Sequence, residues 1–478
     1  PHIAGFYGAT QYETNTVITC YIISGGLMLP VTGYLVRLIG KKLLLFYSIW
    51  LFALGCMLCI LAPNLQTLIA ARVIQGIGSG AILPLCQAVL LEIFPPEQRG
   101  VAMGLFGVAA MFSPLAGPFI GGYLTDNWSW QWIFIINIPL CMISFALVKM
   151  FVANDKPEKQ KYNKRFDIIG YSSIVLAMSS MQIVLDKGQQ YNWFDTTWIC
   201  WVTGICVFSF VFFYVWELEY KYPVIDIRVF KDRNFLFGTL ISSFINVMLY
   251  STLLLVPMFV QSLLGYSPSK SGLSMFPRAI ICLIGLLVFG EISKYIKPKI
   301  MATAGLLTMA ASVLMMTQLN TTSSIENVIL PNILLCIGVP MAFVPITALS
   351  FQTLPPSKNA DAASLHALFK NIVTAIATSA SATFIARVSQ IRQTYLVSNL
   401  SPHNQIFRYK MLALKSKFLI HYPDVVAAKK ASGTLYNQLL QQARLSSFFD
   451  AFTLLAFLAI AVIPLLLLIK YKKTKTAD

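Results

Sequence analysis

Thirteen stretches of the chain are each apolar for long enough to cross a bilayer: 14–36, 43–62, 68–91, 101–124, 131–153, 168–186, 197–216, 236–262, 272–292, 299–318, 328–353, 362–386 and 447–470. A bilayer crossing takes about 20 mostly apolar residues. Each stretch is a continuous run and not a short alternating one, so the crossing elements are predicted to be helices and not strands of a barrel. With 57% hydrophobic and 12% charged residues, the chain reads as an all-α, polytopic membrane protein.

The net charge of +17 does not point to nucleic acid, because the cations are scattered through short loops and a tail and are not interleaved with aromatics on one domain. They read as topology signals. With 37–42 cytoplasmic, Arg37, Lys41 and Lys42 lie inside, and alternation places the basic loop 154–166, Lys294, Lys297, Lys299 and the tail from Lys470 inside as well. The opposite loops 63–67 and 125–130 carry no cation. The basic segment 388–446 falls outside, and long translocated segments largely escape the rule.

The apolar run from Leu68 to Phe94 holds a single cation, Arg72, near its start, and Gly117-Pro118 interrupts the next run. Gly76 and Gly80 are four apart, as are Gly117 and Gly121, a spacing that lets helix backbones approach closely. The nine cysteines all fall in apolar runs. Cys56 and Cys59 have no second pair, so free thiols are expected, with no metal site. Gly76-Ile77-Gly78-Ser79-Gly80 lies inside a hydrophobic helix with no strand before it, which excludes a nucleotide loop. The chain begins at Pro1 without a signal-peptide layout.

An internal repeat organises the rest. Gly33, Arg37, Ile39 and Lys42 recur as Gly290, Lys294, Ile296 and Lys299, an offset of 257. Pro95-Pro96, Ala102 and Leu105 recur as Pro355-Pro356, Ala362 and Leu365, an offset of 260. The span 14–36 therefore maps to 272–292 and 68–91 to 328–353. The spans 168–186 and 197–216 are left between the copies, and the counterpart of 236–262 would precede residue 1. The arrangement predicts fourteen spans as six, two and six, with thirteen present here and the first missing. The predicted units are 1–153, a linker with two inserted helices at 154–217, 218–470 with an outward segment 388–446, and a basic tail 471–478. Parallel six-helix repeats describe a transporter whose halves rock about a central site.

Several motifs resemble the major facilitator superfamily and, within it, the fourteen-span drug:proton antiporters of the EmrB/QacA type. Gly33-x-Leu35-x-Arg37-x-x-Gly40-Lys41-Lys42 is similar to the loop between that superfamily's second and third helices. Leu68-x-x-x-Arg72-x-x-Gln75-Gly76 is similar to its fourth-helix motif, and Gly117-Pro118-x-x-Gly121-Gly122 to its antiporter motif. Trp130-Gln131-Trp132, Leu185-Asp186-x-Gly188, Leu264-Gly265-Tyr266-Ser267 and Ser447-Phe-Phe-Asp450 match the EmrB group more narrowly. Two departures stand out: the loop motif usually carries an acid where this chain has Arg37, and the tryptophan pair usually encloses Arg where this chain has Gln131. The resemblance implies a proton gradient as energy source with no cofactor, and an intramembrane acid on the absent first helix. It also implies hydrophobic substrates, the bilayer of a bacterial inner membrane, and docking to a periplasmic adaptor and outer-membrane channel.

Each candidate has two readings. Arg72, with Gln75, is either a buried cation coupled to proton movement or an arginine snorkelling from a helix end. Gly117, Pro118, Gly121 and Gly122 are either a hinge and seal or ordinary close packing. Gly33, Arg37, Gly40 and Lys41 form either a cytoplasmic gating loop or a topology signal. Lys370, eight residues into its span, either faces a cavity or pairs with Asp361, and His366 is either titratable in the cycle or packed. The acids sit at span ends. Patterns around Leu412–Phe418 and Leu435–Leu439 predict short amphipathic helices in 388–446. The sequence thus predicts a proton-driven multidrug exporter and no enzyme. A metabolite or siderophore exporter on the same scaffold is the alternative, and a channel or membrane enzyme a more distant one.

Overall fold

The computed structural model describes residues 2–9, 11–95, 98–152, 167–220, 225–266, 268–355, 358–398, 400 and 404–470, and among these there is no strand. The first copy of the repeat supplies α1 (His2–Tyr7), α2 (Gln11–Ile39), α3 (Lys41–Ile60), α4 (Leu65–Gly80), α5 (Ile82–Ile93), α6 (Arg99–Asn127), α7 (Trp132–Ile135) and α8 (Asn137–Phe151). Between the copies lie α9 (Ile168–Lys187) and α10 (Thr197–Glu219). The second copy supplies α11 (Arg233–Ser262), α12 (Pro268–Ile292), α13 (Pro298–Met316), α14 (Ile325–Ser350), α15 (Asn359–Val397), α16 (Gln405–Leu419), α17 (Asp424–Val462) and α18 (Leu465–Leu468).

Helix starts follow local chemistry. Asn64, Asp167, Asp232 and Asn404 each accept a backbone N–H of the first turn that follows, which satisfies a donor that the helix leaves open. Between α2 and α3 the chain turns at Gly40, whose φ of 84° lies in the region that glycine enters without steric cost. The Gly40 of the loop motif is thus a turn residue.

Twelve helices among the described residues are long and apolar enough to cross a membrane, against the thirteen expected. The difference lies at α6. It is 29 residues long, and its apolar part among the fully described residues, Arg99–Ala110, is too short by itself to cross a bilayer. The span expected at 68–91 is built from α4 and α5, which meet at Ala81. The loop 154–166 and the tail 471–478 lie outside the described residues.

The outward segment 388–446 departs most from expectation. It is mostly the continuation of two spans. α15 and α17 each run 39 residues, about 58 Å at 1.5 Å per residue, roughly twice the hydrocarbon thickness. The Leu435–Leu439 pattern is not a short helix but part of α17, whose buried residues include Ala427, Ala431, Leu435 and Leu439. That stripe at helical spacing gives α17 a partner beyond the membrane, and α16 packs along it. The three helices pack together at the end of α15 opposite Asp361.

The repeat is visible in packing. Gly78 of α4 lies against the Phe52 backbone of α3, and Gly338 of α14 lies against Met309 and Gly305 of α13. Gly78 and Gly338 are 260 apart in sequence, Phe52 and Met309 257 apart. The same exchange relates the two seams between the halves, α2 against α15 and α12 against α6. α9 bridges the first seam, packing on both α2 and α15. The Thr19 hydroxyl donates to Asp186 at 3.1 Å and the Ser379 hydroxyl to the Leu185 carbonyl at 2.9 Å. α10 is clasped to α9 where Trp216 Nε1 donates to the Asp167 carboxylate.

Candidate functional site

Both seams are tight on the side of the basic loops. In the first, Arg37 Nη1 donates to both Asp361 oxygens at 2.7 and 2.5 Å, joining the end of α2 to the start of α15. Gly33 faces the same Asp361. In the second, a Cβ added at Gly104 would lie 2.6 Å from the Leu286 carbonyl oxygen and 3.2 Å from the Gly290 Cα. Arg99 Nη1 reaches across to donate to the Phe351 carbonyl at 2.8 Å. With 37–42 cytoplasmic, the halves are closed at the cytoplasmic face.

At the position where the loop motif usually carries an acid, Arg37 pairs with Asp361 of the other half. Lys41 pairs with Glu92 within the first half, and Lys42 donates to the Lys149 carbonyl at 3.2 Å.

Arg72 lies between α2 and α7, with its guanidinium carbon 4.8 Å from the Tyr21 ring centre and 5.1 Å from that of Phe134. Its Nη1 donates to Gln75 Oε1 at 2.8 Å, and Gln75 Nε2 lies 3.0 Å from Cys56 Sγ. Its Nε is buried without a partner. Two rings and an amide hold this cation, and no carboxylate neutralises it among the described residues.

The second half holds a cation at the corresponding place, Arg278. Arg278 is fully buried. It donates to the Leu249 carbonyl at 3.1 Å, Thr252 Oγ1 at 2.9 Å and Asn332 Oδ1 at 3.2 Å. By the repeat offsets Arg278 stands where the first copy has Tyr21, and Asn332 where it has Arg72. The α2–α4 contact thus recurs as α12–α14 with the cation moved to the partner helix.

Lys370 does not pair with Asp361. It lies nine residues further along α15, about 13 Å at the helical rise, and its ammonium sits 5.1 Å from the Phe343 ring centre of α14. Phe343 in turn borders Gly107 of α6, so Lys370 faces the meeting of the halves above the closed end. His366, one turn below, is buried. Its Nδ1 is 3.0 Å from Thr239 Oγ1, its ring lies beside Phe351 and Phe235, and its Nε2 is unpartnered.

The glycines at Gly76 and Gly80 do what their spacing predicts: both press on α2, Gly80 against the Gly25 backbone. Those of the antiporter motif do not. α6 is continuous through Gly117-Pro118, and nothing lies within 4 Å of a Cβ added at Gly117, Gly121 or Gly122. The equivalent positions of the second copy, Ala377, Ser381 and Ala382, lie on α15 where Ser381 Oγ meets Ser251 Oγ of α11 at 2.9 Å. The Pro118 side chain is outside the described residues. No cluster of three or more metal-ligating side chains occurs among the described residues, and the nine cysteines are free thiols.

The profile of the Major Facilitator Superfamily matches residues 1–378. The chain is 32% identical over 413 residues to the probable multidrug resistance protein EmrY of Escherichia coli K12, covering 85% of this chain and 79% of that protein. It is 30% identical over 406 residues to the multidrug export protein EmrB of the same strain, covering 84% and 79%. Among solved structures it resembles the human organic anion transporter MFSD10 with a TM-score of 0.58, covering 97% of this chain and 87% of that one at 13% identity, a likeness of fold alone.

Proposed function

The chain belongs to the major facilitator superfamily, and from that premise we propose that it exports many hydrophobic or amphipathic compounds from the cell, driven by a proton gradient. It is a multi-pass membrane protein, placed on this reading in a bacterial inner membrane. The multidrug relatives support the substrate range, and the proton coupling follows from the family resemblance. The observation that carries the mechanism is the pair of seams exchanged by the repeat and both shut at the cytoplasmic end, by Arg37 with Asp361 and by Arg99 with the Phe351 carbonyl. Such an arrangement is one of two states of an alternating-access cycle. Breaking those contacts opens the inner side without disturbing either half's own packing.

On this reading Arg72 is a coupling residue. It is held by π faces and one amide, so a proton or charge arriving nearby changes its balance without having to displace a carboxylate. His366 is bound through Thr239 and stands one turn from Lys370. The cycle needs no cofactor beyond the gradient. The projection of α15, α16 and α17 is the place for an adaptor protein and, through it, an outer-membrane channel. Between 387 and 446 it carries Arg387, Arg392, Arg408, Lys410, Lys415, Lys417, Lys429, Lys430 and Arg444 against one acid, Asp424. α16 leaves Ile406, Tyr409 and Leu412 exposed on its outer face.

Inverted vesicles under an imposed pH gradient, loaded with a neutral lipophilic dye, test the reading. Gradient-dependent uptake by the wild type and its loss in a folded Arg72→Ala variant are expected. Correctly inserted protein with no uptake for any of several chemically distinct dyes would replace multidrug export by export of one specific metabolite.

A further inference from the structure

The outward side of the α9–α10 hairpin carries a groove that no described residue fills. It is a cavity of about 620 Å³, lined by Ile169 and Leu176 of α9 and by Trp201, Gly204, Phe208 and Phe212 of α10. Nothing lies within 4 Å of a Cβ added at Gly204, so the wall is open there. The serines beside it need no partner from outside, because Ser172 Oγ and Ser173 Oγ donate to the Ile169 and Gly170 carbonyls of their own helix. Trp201 and Phe212 are eleven residues apart, about 16 Å along the helix. One leaflet of a bilayer offers hydrocarbon of about that depth, roughly 15 Å.

From the groove an aromatic ladder leads to the end of α10. Phe208, Phe212, Trp216 and Tyr220 stand four apart, and successive ring centres are 6.2, 5.8 and 5.5 Å from one another with nearly parallel planes. Trp216 grips Asp167, two residues before Ile169, so the groove ends about one helical turn short of Tyr220. Tryptophan and tyrosine settle at the level of lipid headgroups. At that level the exposed Arg228 hangs on the Leu218 and Tyr220 carbonyls through Nη2, at 3.1 and 3.3 Å. Among the described residues its Nε and Nη1 make no hydrogen bond, and its neighbouring acids are engaged, Asp226 by Lys358 and Asp232 by Thr353.

A groove of this size facing hydrocarbon is filled by what surrounds it, because its walls otherwise lose their contacts. A helix of a second copy would lie along all 23 residues of α10, about 35 Å, whereas the groove covers about half of that. An acyl chain matches its length. A phosphate one turn beyond the groove meets a guanidinium with donors to spare. We infer that the α9–α10 hairpin binds an anionic phospholipid, one acyl chain lying in the groove over Gly204 and the phosphate on Arg228. Because α9 packs on both α2 and α15, the bound lipid steadies the element that bridges the first seam.

Dioleoyl phosphatidylglycerol and dioleoyl phosphatidylcholine test it, having the same chains and different net charge. The full chain is stripped of lipid in detergent, and the first lipid bound is followed by native mass spectrometry for the wild type, Arg228→Gln and Gly204→Phe. The wild type is expected to bind the glycerol lipid about fivefold more tightly than the choline lipid, and Arg228→Gln to lose that preference while binding the choline lipid as before. Gly204→Phe, which fills the groove, should weaken both lipids about tenfold and keep the wild-type melting temperature in lipid-free detergent. A wild type without preference, an Arg228→Gln variant that keeps it, or a Gly204→Phe variant that melts normally and binds both lipids undiminished overturns the site. A wild-type dimer that Gly204→Phe converts to a monomer, with lipid binding unmoved, would overturn it in favour of a second copy in the groove.

Discussion

Arg37 and Asp361 stand 324 residues apart in the chain, and Arg37 Nη1 donates to both oxygens of the Asp361 carboxylate at 2.7 and 2.5 Å. The pair joins the two halves at the end that carries the basic loop 37–42. Its side chains are 23% and 15% exposed, so its strength falls between that of a surface pair and that of a buried one.

Asp361→Asn should therefore weaken the closed state by about 1–2 kcal/mol, a 5- to 30-fold shift toward cytoplasmic opening. Labelling of a cysteine placed at Ser293, at the closed end of the other seam, in a cysteine-free background reports it. Faster labelling from the cytoplasmic side is expected in Asp361→Asn and Arg37→Gln, and wild-type labelling in the exchanged pair Arg37→Asp/Asp361→Arg. An exchanged pair that labels as fast as the single variants would show that the charges do not act on each other.

Glycines that look alike in sequence should respond oppositely. At Gly338 an added Cβ would lie 2.7 Å from Met309 Cγ and 2.8 Å from the Gly305 carbonyl oxygen, whereas at Gly117 it meets nothing within 4 Å. Gly338→Val and its repeat mate Gly78→Val should each cost about 1–3 kcal/mol through overpacking, seen as a lower melting temperature in detergent. Gly117→Val should stay within about 0.5 kcal/mol of wild type. Equal losses at Gly117 and Gly338 would contradict the packing described here.

The buried Arg278 offers a test of charge against partner. Removing the acceptor in Asn332→Leu leaves a guanidinium short of one bond in the interior and should cost about 1–3 kcal/mol. Arg278→Met removes the charge itself and should be nearly neutral, because replacing a buried ion by an apolar group of similar volume often is. The double variant should regain the stability that Asn332→Leu loses. Thermal melts of the three proteins decide it, and additive losses would dismiss the interaction.

On the projection, serine at Ile406, Tyr409 and Leu412 together should leave dye uptake in vesicles and melting temperature unchanged, because these side chains are exposed on α16. It should weaken co-purification with a periplasmic adaptor. Unaltered co-purification would place the adaptor elsewhere.

The sequence by itself determined that the chain is an all-helical membrane protein built on a repeat, because a bilayer demands long apolar runs, and its positive loops gave an expected orientation. The offsets of 257 and 260 carry over into the packing of Gly78 on Phe52 and Gly338 on Met309. Contacts between halves were illegible, because they join residues hundreds of positions apart on helices whose relative rotation no local pattern records. Tertiary structure decided that Arg37 has an acid in Asp361, and that Lys370, for which Asp361 was the obvious partner, instead rests on Phe343. It also decided that Gly117, Gly121 and Gly122 face open space while Gly76 and Gly80 press on α2. Small residues permit close approach, but only a facing helix makes it happen, and where that helix lies is fixed by the whole bundle.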